Sequence, residues 1–328
     1  MQSYWMQMTD TDTALELRES PVPEPGPKQL LVRMHAAALN RGEFLTTHGL
    51  HGTPGTWKAI GGEGAGEVIS IGAEVSSFKP GNRVMGRCAG AFAEYALMEA
   101  AEAMMVPPGL SWEEAAAIPL TFLVSYDMLM LQGRLQSGEW LLINGVSSGV
   151  GVASLQLGKA LGARVIGTSG SAEKLAALES LGLDVGLCTR KPDFAQAVIN
   201  ATNQHGADLI VNTVGGSIFA ENIRALAFEG RLATVGFVDG VGHADVDLAT
   251  LHAKRLTVFG VSNKLRTKEQ RAAAVPRFIK DVMPHFASGR IKPKIDCVMG
   301  FSQLADAKAR MECGSHIGKI VLRMPRAS

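Results

Sequence analysis

The sequence has few cysteines and no excess of charge of either sign. Its 328 residues include only Cys88, Cys188, Cys297 and Cys313, which lie far apart. This spacing excludes a zinc knot built from clustered cysteines and a CxxC redox motif. The 32 Lys and Arg residues are balanced by 31 Asp and Glu residues, with no long block of one sign. We therefore expect no nucleic-acid partner.

Long apolar runs are also missing. The N-terminal segment MQSYWMQMTDTDTALELRES lacks the basic and apolar regions of a signal peptide, and no run reaches the roughly 18 residues of a membrane span. These absences predict a cytoplasmic chain with reduced thiols and no membrane association. With 46% hydrophobic residues, the chain can bury a large core, and its length favours two domains.

The pattern of predicted elements changes along the chain. Residues 1 to about 120 contain short strands separated by Pro and Gly turns, whereas from Trp140 about six strands alternate with helices. We expect helices over 219–230 and 269–289, and a closing strand in IGKIVLRM. The sequence thus predicts an α/β protein with a β-rich domain (1–121 and 264–328) and a doubly wound Rossmann domain (122–263).

A loop of small residues joins the predicted strand WLLIN to the helix that follows it. The loop runs through Val146, Ser147, Ser148, Gly149, Val150 and Gly151. A helix N-terminus offers unpaired N–H groups and a positive dipole end, and small residues let a pyrophosphate approach them. The match to G-x-G-x-x-G is imperfect, but its place between strand and helix predicts a dinucleotide-binding loop.

The end of the next predicted strand indicates which dinucleotide binds. NAD-binding units usually place Asp or Glu here, where the carboxylate binds the ribose 2′-OH and repels a 2′-phosphate. This strand instead ends in GTSGS (167–171), with Lys174 and Arg190 nearby. Hydroxyl groups and cations favour a 2′-phosphate through charge-assisted hydrogen bonds, which predicts NADPH. The alternative is that Lys174 is only a solvated helix residue.

Seven segments in order along the chain carry a family resemblance: AALNRGEF, GGEGAGEVISIGAEVSSFKPGNRV, GAFAEYALM, INGVSSGVGVASLQLGKALGARVIGTSGSAEKL, DLIVNTVGG, GRLATVGF and HIGKIVL. The chain resembles the medium-chain dehydrogenase/reductase superfamily, and within it the zinc-independent quinone oxidoreductase branch that includes zeta-crystallin. The resemblance implies a GroES-like β-rich catalytic domain, a Rossmann domain inserted within it, and a cofactor in the cleft between them. It also implies a homodimer, in which RLTVFGVS would supply the paired edge strand.

The resemblance bears directly on zinc. Zinc-dependent relatives place their catalytic ligands where this chain has Asn40, Gly62 and Leu120. None of these side chains is a thiolate, an imidazole or a carboxylate, which are the usual zinc ligands. The four-cysteine loop that holds structural zinc in the family is absent as well, since Cys88 stands alone in its region. We therefore expect no metal.

The predicted cofactor-binding residues come from the loop, from the second strand and from positions that match the family. They are Ser147, Ser148, Gly149, Val150, Gly170, Lys174, Thr189, Arg190, Gly236, Phe237, Val238, Val261, Ser262 and Asn263. Thr189 stands where relatives often have Tyr or His beside the adenosine phosphate, which leaves Arg190 as a substitute contact.

Without a Lewis acid, the acceptor must take hydride readily, as quinones and α,β-unsaturated carbonyls do. We expect two catalytic residues. Asn40 matches an asparagine that faces the active site in the family, and its amide could donate a hydrogen bond to the developing oxyanion. His51 stands where several relatives have Tyr, and an imidazole with an ordinary pKa near 6.5 can deliver a proton at neutral pH. A solvent-exposed loop histidine is the alternative.

Other interpretations stay open. His48 and His51 with Glu43 could be proposed as a metal set, but two histidines without a clear third ligand make a poor site. Leu45 and Val124 replace polar side chains found in relatives, so the substrate does not carry over from the family. The function predicted is NADPH-dependent hydride transfer to a small-molecule quinone or enone. The alternatives are an enoyl reductase of the same fold and a redox-quiet NADPH-binding protein.

Overall fold

The computed structural model describes residues 1–9, 12–44 and 55–325. It contains two compact units, which we call the β-rich unit (1–123 and 264–328) and the Rossmann unit (124–263). The sequence placed the corresponding junctions after residues 121 and 263, whereas the units divide after residues 123 and 263. No described helix is long and apolar enough to cross a membrane.

The strands and helices follow one another along the described ranges. The strands are β1 (Gln2–Met8), β2 (Thr13–Glu19), β3 (Gln29–Ala38), β4 (Lys58–Ala59), β5 (Glu63–Ile71), β6 (Arg83–Arg87), β7 (Tyr95–Glu99), β8 (Ala103–Met105), β9 (Trp140–Asn144), β10 (Arg164–Ser169), β11 (Val185–Cys188), β12 (Ala207–Asn212), β13 (Leu226–Thr234), β14 (Thr257–Gly260), β15 (Ile295–Gly300) and β16 (Lys319–Arg323). The α-helices are α1 (Trp112–Ala116), α2 (Pro119–Tyr126), α3 (Gly149–Ala160), α4 (Ala172–Glu179), α5 (Ala195–Ala201), α6 (Phe219–Ala225), α7 (Leu248–Ala253), α8 (Lys268–Ala272), α9 (Val275–Asp281), α10 (Met283–Ala287) and α11 (Leu304–Glu312). A π-helical segment (Asp127–Gln132) follows α2.

The β-rich unit is organised around strand β3. Its main sheet has the order β15-β16-β3-β5-β6-β8, with β7 also paired to β3, and a smaller sheet has the order β2-β1-β4. Helix α11 contributes Leu304, Ala307 and Met311 to the core, at the spacing of one helix face. Burying each large apolar side chain contributes roughly 1.5–3 kcal/mol to the stability of the fold, so the shared core holds α11 against the sheet.

The register of β3 with its neighbours places distant residues side by side. β16 is antiparallel to β3 with Val321 opposite Ala38, so Lys319 comes opposite Asn40, just beyond the end of β3. On the other side, β5 is antiparallel with Gly64 opposite Ala37, which brings Glu63 to the same end. Side chains 256 positions apart in the sequence therefore meet beside Asn40.

The Rossmann unit contains a six-stranded parallel sheet in the order β11-β10-β9-β12-β13-β14. All five residues of β9 are buried, which explains why WLLIN is a continuous apolar run rather than an alternating one. In the described ranges, β11 and β14 form the two edges of this sheet. The two units thus have the β-rich and doubly wound parallel architectures that the sequence predicts.

Two predicted helices were wrong in extent. The helix expected over 219–230 ends at Ala225, and the chain continues as β13, because packing against β12 overrides the helical pattern. The single helix expected over 269–289 is instead three short helices, α8 to α10. Pro276 and Pro284 lie in the first turns of α9 and α10, where proline is tolerated, so each marks the start of a new helix. Strands β1 and β2 were not anticipated from the sequence.

Candidate active site

The three positions that hold zinc ligands in zinc-dependent relatives come together in the β-rich unit. The backbone N–H of Leu120 donates to Glu63 Oε2 at 2.7 Å, and the backbone N–H of Gly62 donates to Glu43 Oε1 at 3.0 Å. Asn40 Nδ2 donates to both of these carboxyl groups. A Cβ atom at position 62 would lie 2.6 Å from Glu43 Oε1 and 3.2 Å from Leu120 Cδ1. Glu43 therefore fills the space into which a side chain at position 62 would project.

Lys319 joins these groups into a network that we call the buried cluster, formed by Asn40, Glu43, Glu63 and Lys319. Its Nζ donates to Leu39 O at 2.7 Å, to Asn40 Oδ1 at 2.8 Å and to Glu63 Oε1 at 2.8 Å. These are all three hydrogens of an ammonium group. Glu63 is 0% exposed and Lys319 is 5% exposed. A buried ion pair offsets its desolvation cost only with such additional hydrogen bonds.

The amide of Asn40 is fully engaged by the same network. Its Nδ2 donates to Glu43 Oε1 at 3.1 Å and to Glu63 Oε1 at 2.9 Å, while its Oδ1 accepts from Lys319. The sequence interpretation gave one of these N–H groups to the substrate, but in the described structure both are already used. Asn40 thus holds two carboxyl groups in place, with its own orientation set by the lysine.

Glu43 differs from the other members of the buried cluster. Its Oε1 accepts from Asn40 and from the Gly62 N–H, whereas its Oε2 is buried and has no hydrogen-bond partner in the described structure. Burial is the main cause that raises the pKa of Glu43 to about 7, and the negative charge of Glu63 adds to this effect. The hydrogen bond from Asn40, the charge of Lys319 and the Gly62 N–H act in the opposite direction.

The Rossmann unit carries its candidate site at the carboxyl ends of its strands, which we call the carboxyl edge. Helix α3 begins after β9, and Ser148 caps it by accepting from the Gly151 N–H at 3.0 Å. The N–H groups of Gly149 and Val150 fall in the first turn, where a helix has no internal acceptor. A Cβ at Gly151 would lie 2.4 Å from Gly145 O, so this tight loop requires glycine. These features fit the pyrophosphate of a dinucleotide.

The carboxyl end of β10 carries the predicted 2′-phosphate contacts. A Cβ at Gly170 would lie 2.1 Å from Arg190 Nε, so the arginine side chain lies directly against this glycine. Ser171 caps α4 through a bond from the Lys174 N–H at 3.2 Å. The hydroxyl of Ser171 also donates to Glu173 Oε2 at 2.6 Å. Of the predicted 2′-phosphate contacts, Arg190 is thus the one whose side chain lies against the end of β10.

The remaining predicted contacts also follow strand ends. Thr189 comes directly after β11, and its hydroxyl donates to Asp193 Oδ1 at 2.7 Å, so it is engaged locally. Gly236 follows β13 and lies near the Thr213 carbonyl oxygen. The residues that follow these strand ends are Gly236, Phe237 and Val238 after β13, and Val261, Ser262 and Asn263 after β14. Ligands of open parallel sheets bind at this edge.

Some predictions fall outside the described residues. His48 and His51, the predicted proton donor among them, lie in the segment 45–54 that the structure does not describe, as does Leu45. Among the described residues, no group of three or more His, Cys, Asp or Glu side chains could hold a metal ion. Sequence reasoning missed Glu63 and Lys319 as site residues. Their signal was a single charge inside each of two otherwise small or apolar segments, GGEGAG and IGKIVL.

Two family models match the chain. A zinc-binding dehydrogenase model matches residues 149–279, and an alcohol dehydrogenase GroES-like domain model matches residues 26–108. A curated relative from Mycobacterium tuberculosis, a phenolphthiocerol/phthiocerol polyketide synthase component, is 32% identical over 95% of this chain. The chain spans 14% of the length of that relative.

Solved structures share the complete fold. The mycobacterial protein Rv1454c complexed with NADPH has a TM-score of 0.86 and 25% identity, covering 98% of this chain and 99% of that one. A quinone oxidoreductase of Pseudomonas syringae pv. tomato DC3000 has a TM-score of 0.85 and 26% identity, covering 98% of this chain and 100% of that one. The paired family models and the shared fold show that the chain belongs to the medium-chain dehydrogenase/reductase superfamily.

Proposed function

We propose that the protein is a zinc-independent, NADPH-dependent reductase that transfers hydride to a quinone or another α,β-unsaturated carbonyl. The observation that carries the proposal is the buried cluster. Where zinc-dependent relatives have ligands, this chain has Asn40, Gly62 and Leu120. The ammonium group of Lys319 donates hydrogen bonds to the side-chain oxygens of Asn40 and Glu63. The set of side chains at these positions suits an acceptor that needs no metal to become electrophilic.

The cofactor assignment is supported by the carboxyl edge. Gly149 and Val150 would hold the pyrophosphate at the start of α3, and Arg190 beside Gly170 would contact the 2′-phosphate. The similarity to a protein solved with NADPH agrees with this preference. When bound, NADPH supplies the hydride.

The β-rich unit would orient and polarise the acceptor. A fixed arrangement of charges that needs no rearrangement during the reaction stabilises developing charge better than water does. Lys319, Glu63 and Asn40 form such a fixed arrangement, since three acceptors hold the ammonium group of Lys319 and two of them belong to Glu63 and Asn40. We assign these three side chains a positioning role.

The test is oxidation of NADPH by the purified protein with a panel of acceptors. The panel contains benzoquinones and naphthoquinones, simple enones, and α,β-unsaturated thioesters. We expect oxidation with at least one class, unchanged activity after treatment with a chelator, and tighter binding of NADPH than NADH in a direct titration. The similarity to a quinone oxidoreductase places quinones first in the panel.

Each result separates the interpretations. Activity only with thioesters would assign the protein as an enoyl reductase, and binding of NADPH without oxidation by any acceptor would assign a redox-quiet binding protein. Stoichiometric zinc in a metal analysis, with loss of activity on its removal, would contradict the zinc-independent reaction.

A further inference from the structure

One atom of the buried cluster is left over when its hydrogen bonds are counted. Lys319 uses three hydrogens and Asn40 uses two, and every one of them has an acceptor. Both oxygens of Glu63 accept bonds, from Lys319, Asn40 and the Leu120 N–H. Glu43 Oε2 is the exception, since it is buried and has no partner in the described structure.

An ionised carboxylate oxygen in such a place is costly, because nothing replaces the water that it gave up. Protonation of Glu43 at Oε2 removes this cost and leaves Oε1 as an acceptor for Asn40 and Gly62. The raised pKa of about 7 agrees with this geometry. In the neutral acid, Oε2–H is the only hydrogen-bond donor of the cluster side chains that the cluster itself does not consume.

The surroundings of Glu43 contain charges of both signs. Among the described residues, the ionisable groups that act on Glu43, or on which it acts, are Glu63 at the start of β5, Lys319 on β16, Lys58 on β4, Arg87 at the end of β6, and Cys88 directly after β6. Glu63 and Lys319 form an ion pair at 2.8 Å, which largely offsets their effects on a third group. Burial therefore decides the protonation state of Glu43.

We propose that Glu43 is the acid that protonates the reduced acceptor, with Asn40, Glu63 and Lys319 as positioning residues that hold its carboxyl group. The inference rests on the proposed function. In a conjugated carbonyl, the added hydride forms a C–H bond at the β-carbon and the electron pair of the double bond moves to the carbonyl oxygen. The Glu43 O–H bond then breaks, its proton forms the C–H bond at the α-carbon, and the carboxylate regains a proton from solvent.

The experiment compares wild type with Glu43→Gln, using an enone with a methyl group at the α-carbon. Glutamine keeps an oxygen acceptor for Asn40 and Gly62 but holds no acidic proton. We expect wild-type kcat to fall as the pH rises through about 7, because the acid must be protonated. In Glu43→Gln, kcat should fall about 100-fold, the dependence should disappear, and the α-carbon should lose its single configuration.

Two further variants serve as controls. Glu102→Gln removes another buried carboxylate of the same unit, one paired with Arg271 rather than with the cluster. It should keep both the pH dependence and the product configuration. His51→Gln tests the competing donor from the sequence. If His51→Gln abolishes the pH dependence while Glu43→Gln retains it, Glu43 is not the acid.

A measurement without substrate separates this inference from the proposed function. The infrared carbonyl band of a protonated carboxylic acid should titrate near pH 7 in wild type, disappear in Glu43→Gln and persist in Glu102→Gln. If wild type reduces no acceptor, the proposed function and the delivery step both fail, while the band still shows whether Glu43 holds the proton. If wild type is active and no such band depends on Glu43, only the assignment of the acid is overturned.

Discussion

The two candidate sites of this protein are built from opposite materials. At the carboxyl edge of the Rossmann unit, half-exposed loops of Gly and Ser present main-chain N–H groups. In the buried cluster of the β-rich unit, charged side chains use nearly all of their hydrogen-bonding capacity on one another. The first arrangement suits a large anionic ligand, which would bind through unpaired donors. The second one keeps a fixed electrostatic environment with a single free group, on Glu43.

The comparison predicts different costs for damage. Losing a member of the buried cluster leaves charges without partners, which destabilises the fold. Altering a loop at the carboxyl edge should mainly weaken cofactor binding, because those donors face solvent when no ligand is present. Four substitutions test this contrast, in order of decreasing effect.

The largest effect is expected for Lys319→Met. It leaves Glu63, 0% exposed, without its counterion and removes the donor to Leu39 O and Asn40 Oδ1. Breaking a buried ion pair from one side costs about 3–5 kcal/mol. Urea denaturation should show this loss in the free energy of unfolding.

Lys308→Met is the matched control for Lys319→Met. Lys308 is also buried and belongs to the same unit, but its partners Asp12 and Glu312 have side chains that are 66% and 44% exposed. Water can solvate those carboxylates, so we expect a loss of about 1 kcal/mol or less. Equal losses for the two variants would show that the buried ion pair of Lys319 contributes no more to stability than the half-exposed ion pairs of Lys308.

The sequence reveals these two sites to different extents. The strand, loop and helix around residues 147–150 could be predicted because they are contiguous, so the local pattern carries this geometry. The buried cluster depends on the register of β3 with β5 and β16, which joins residues 40, 63 and 319. No local pattern encodes that register. The role first given to Asn40 assumed a free amide, which only the three-dimensional hydrogen-bond count could test.

The second prediction concerns the pH dependence of stability. The pKa of Glu43 rises from an ordinary 4.5 to about 7 in the folded chain, so between these values the folded state holds more protons than the unfolded state. Stability contributed by this group is therefore full at low pH and is lost as the pH rises through about 7, by roughly 3 kcal/mol in all. Glu43→Gln should remove this slope in unfolding experiments across that range, and an unchanged slope would show that Glu43 is ionised throughout.

The third prediction concerns the carboxyl edge. Gly151→Ala places a Cβ 2.4 Å from Gly145 O and 2.6 Å from Val146 O, so the loop before α3 must move. We expect the Kd for NADPH to rise about 30-fold, which corresponds to roughly 2 kcal/mol. Gly242→Ala, at a glycine with no atoms near the added Cβ, is the control and should bind like wild type. An unchanged Kd in Gly151→Ala would contradict binding of the cofactor at this loop.

The smallest effect is expected for Arg190→Gln, which tests what the carboxyl edge recognises beyond the pyrophosphate. Arg190 lies against Gly170 at the end of β10, where we propose that the 2′-phosphate binds, but it is exposed and its charge is partly screened. Loss of one charge-assisted contact should raise the Kd for NADPH about 10-fold, or roughly 1.4 kcal/mol, and leave the Kd for NADH unchanged. Lys191→Gln, a neighbouring exposed cation, controls for general electrostatic attraction. A parallel rise for both dinucleotides would place Arg190 at the pyrophosphate instead, and would leave Lys174 as the predicted cation that could distinguish NADPH from NADH.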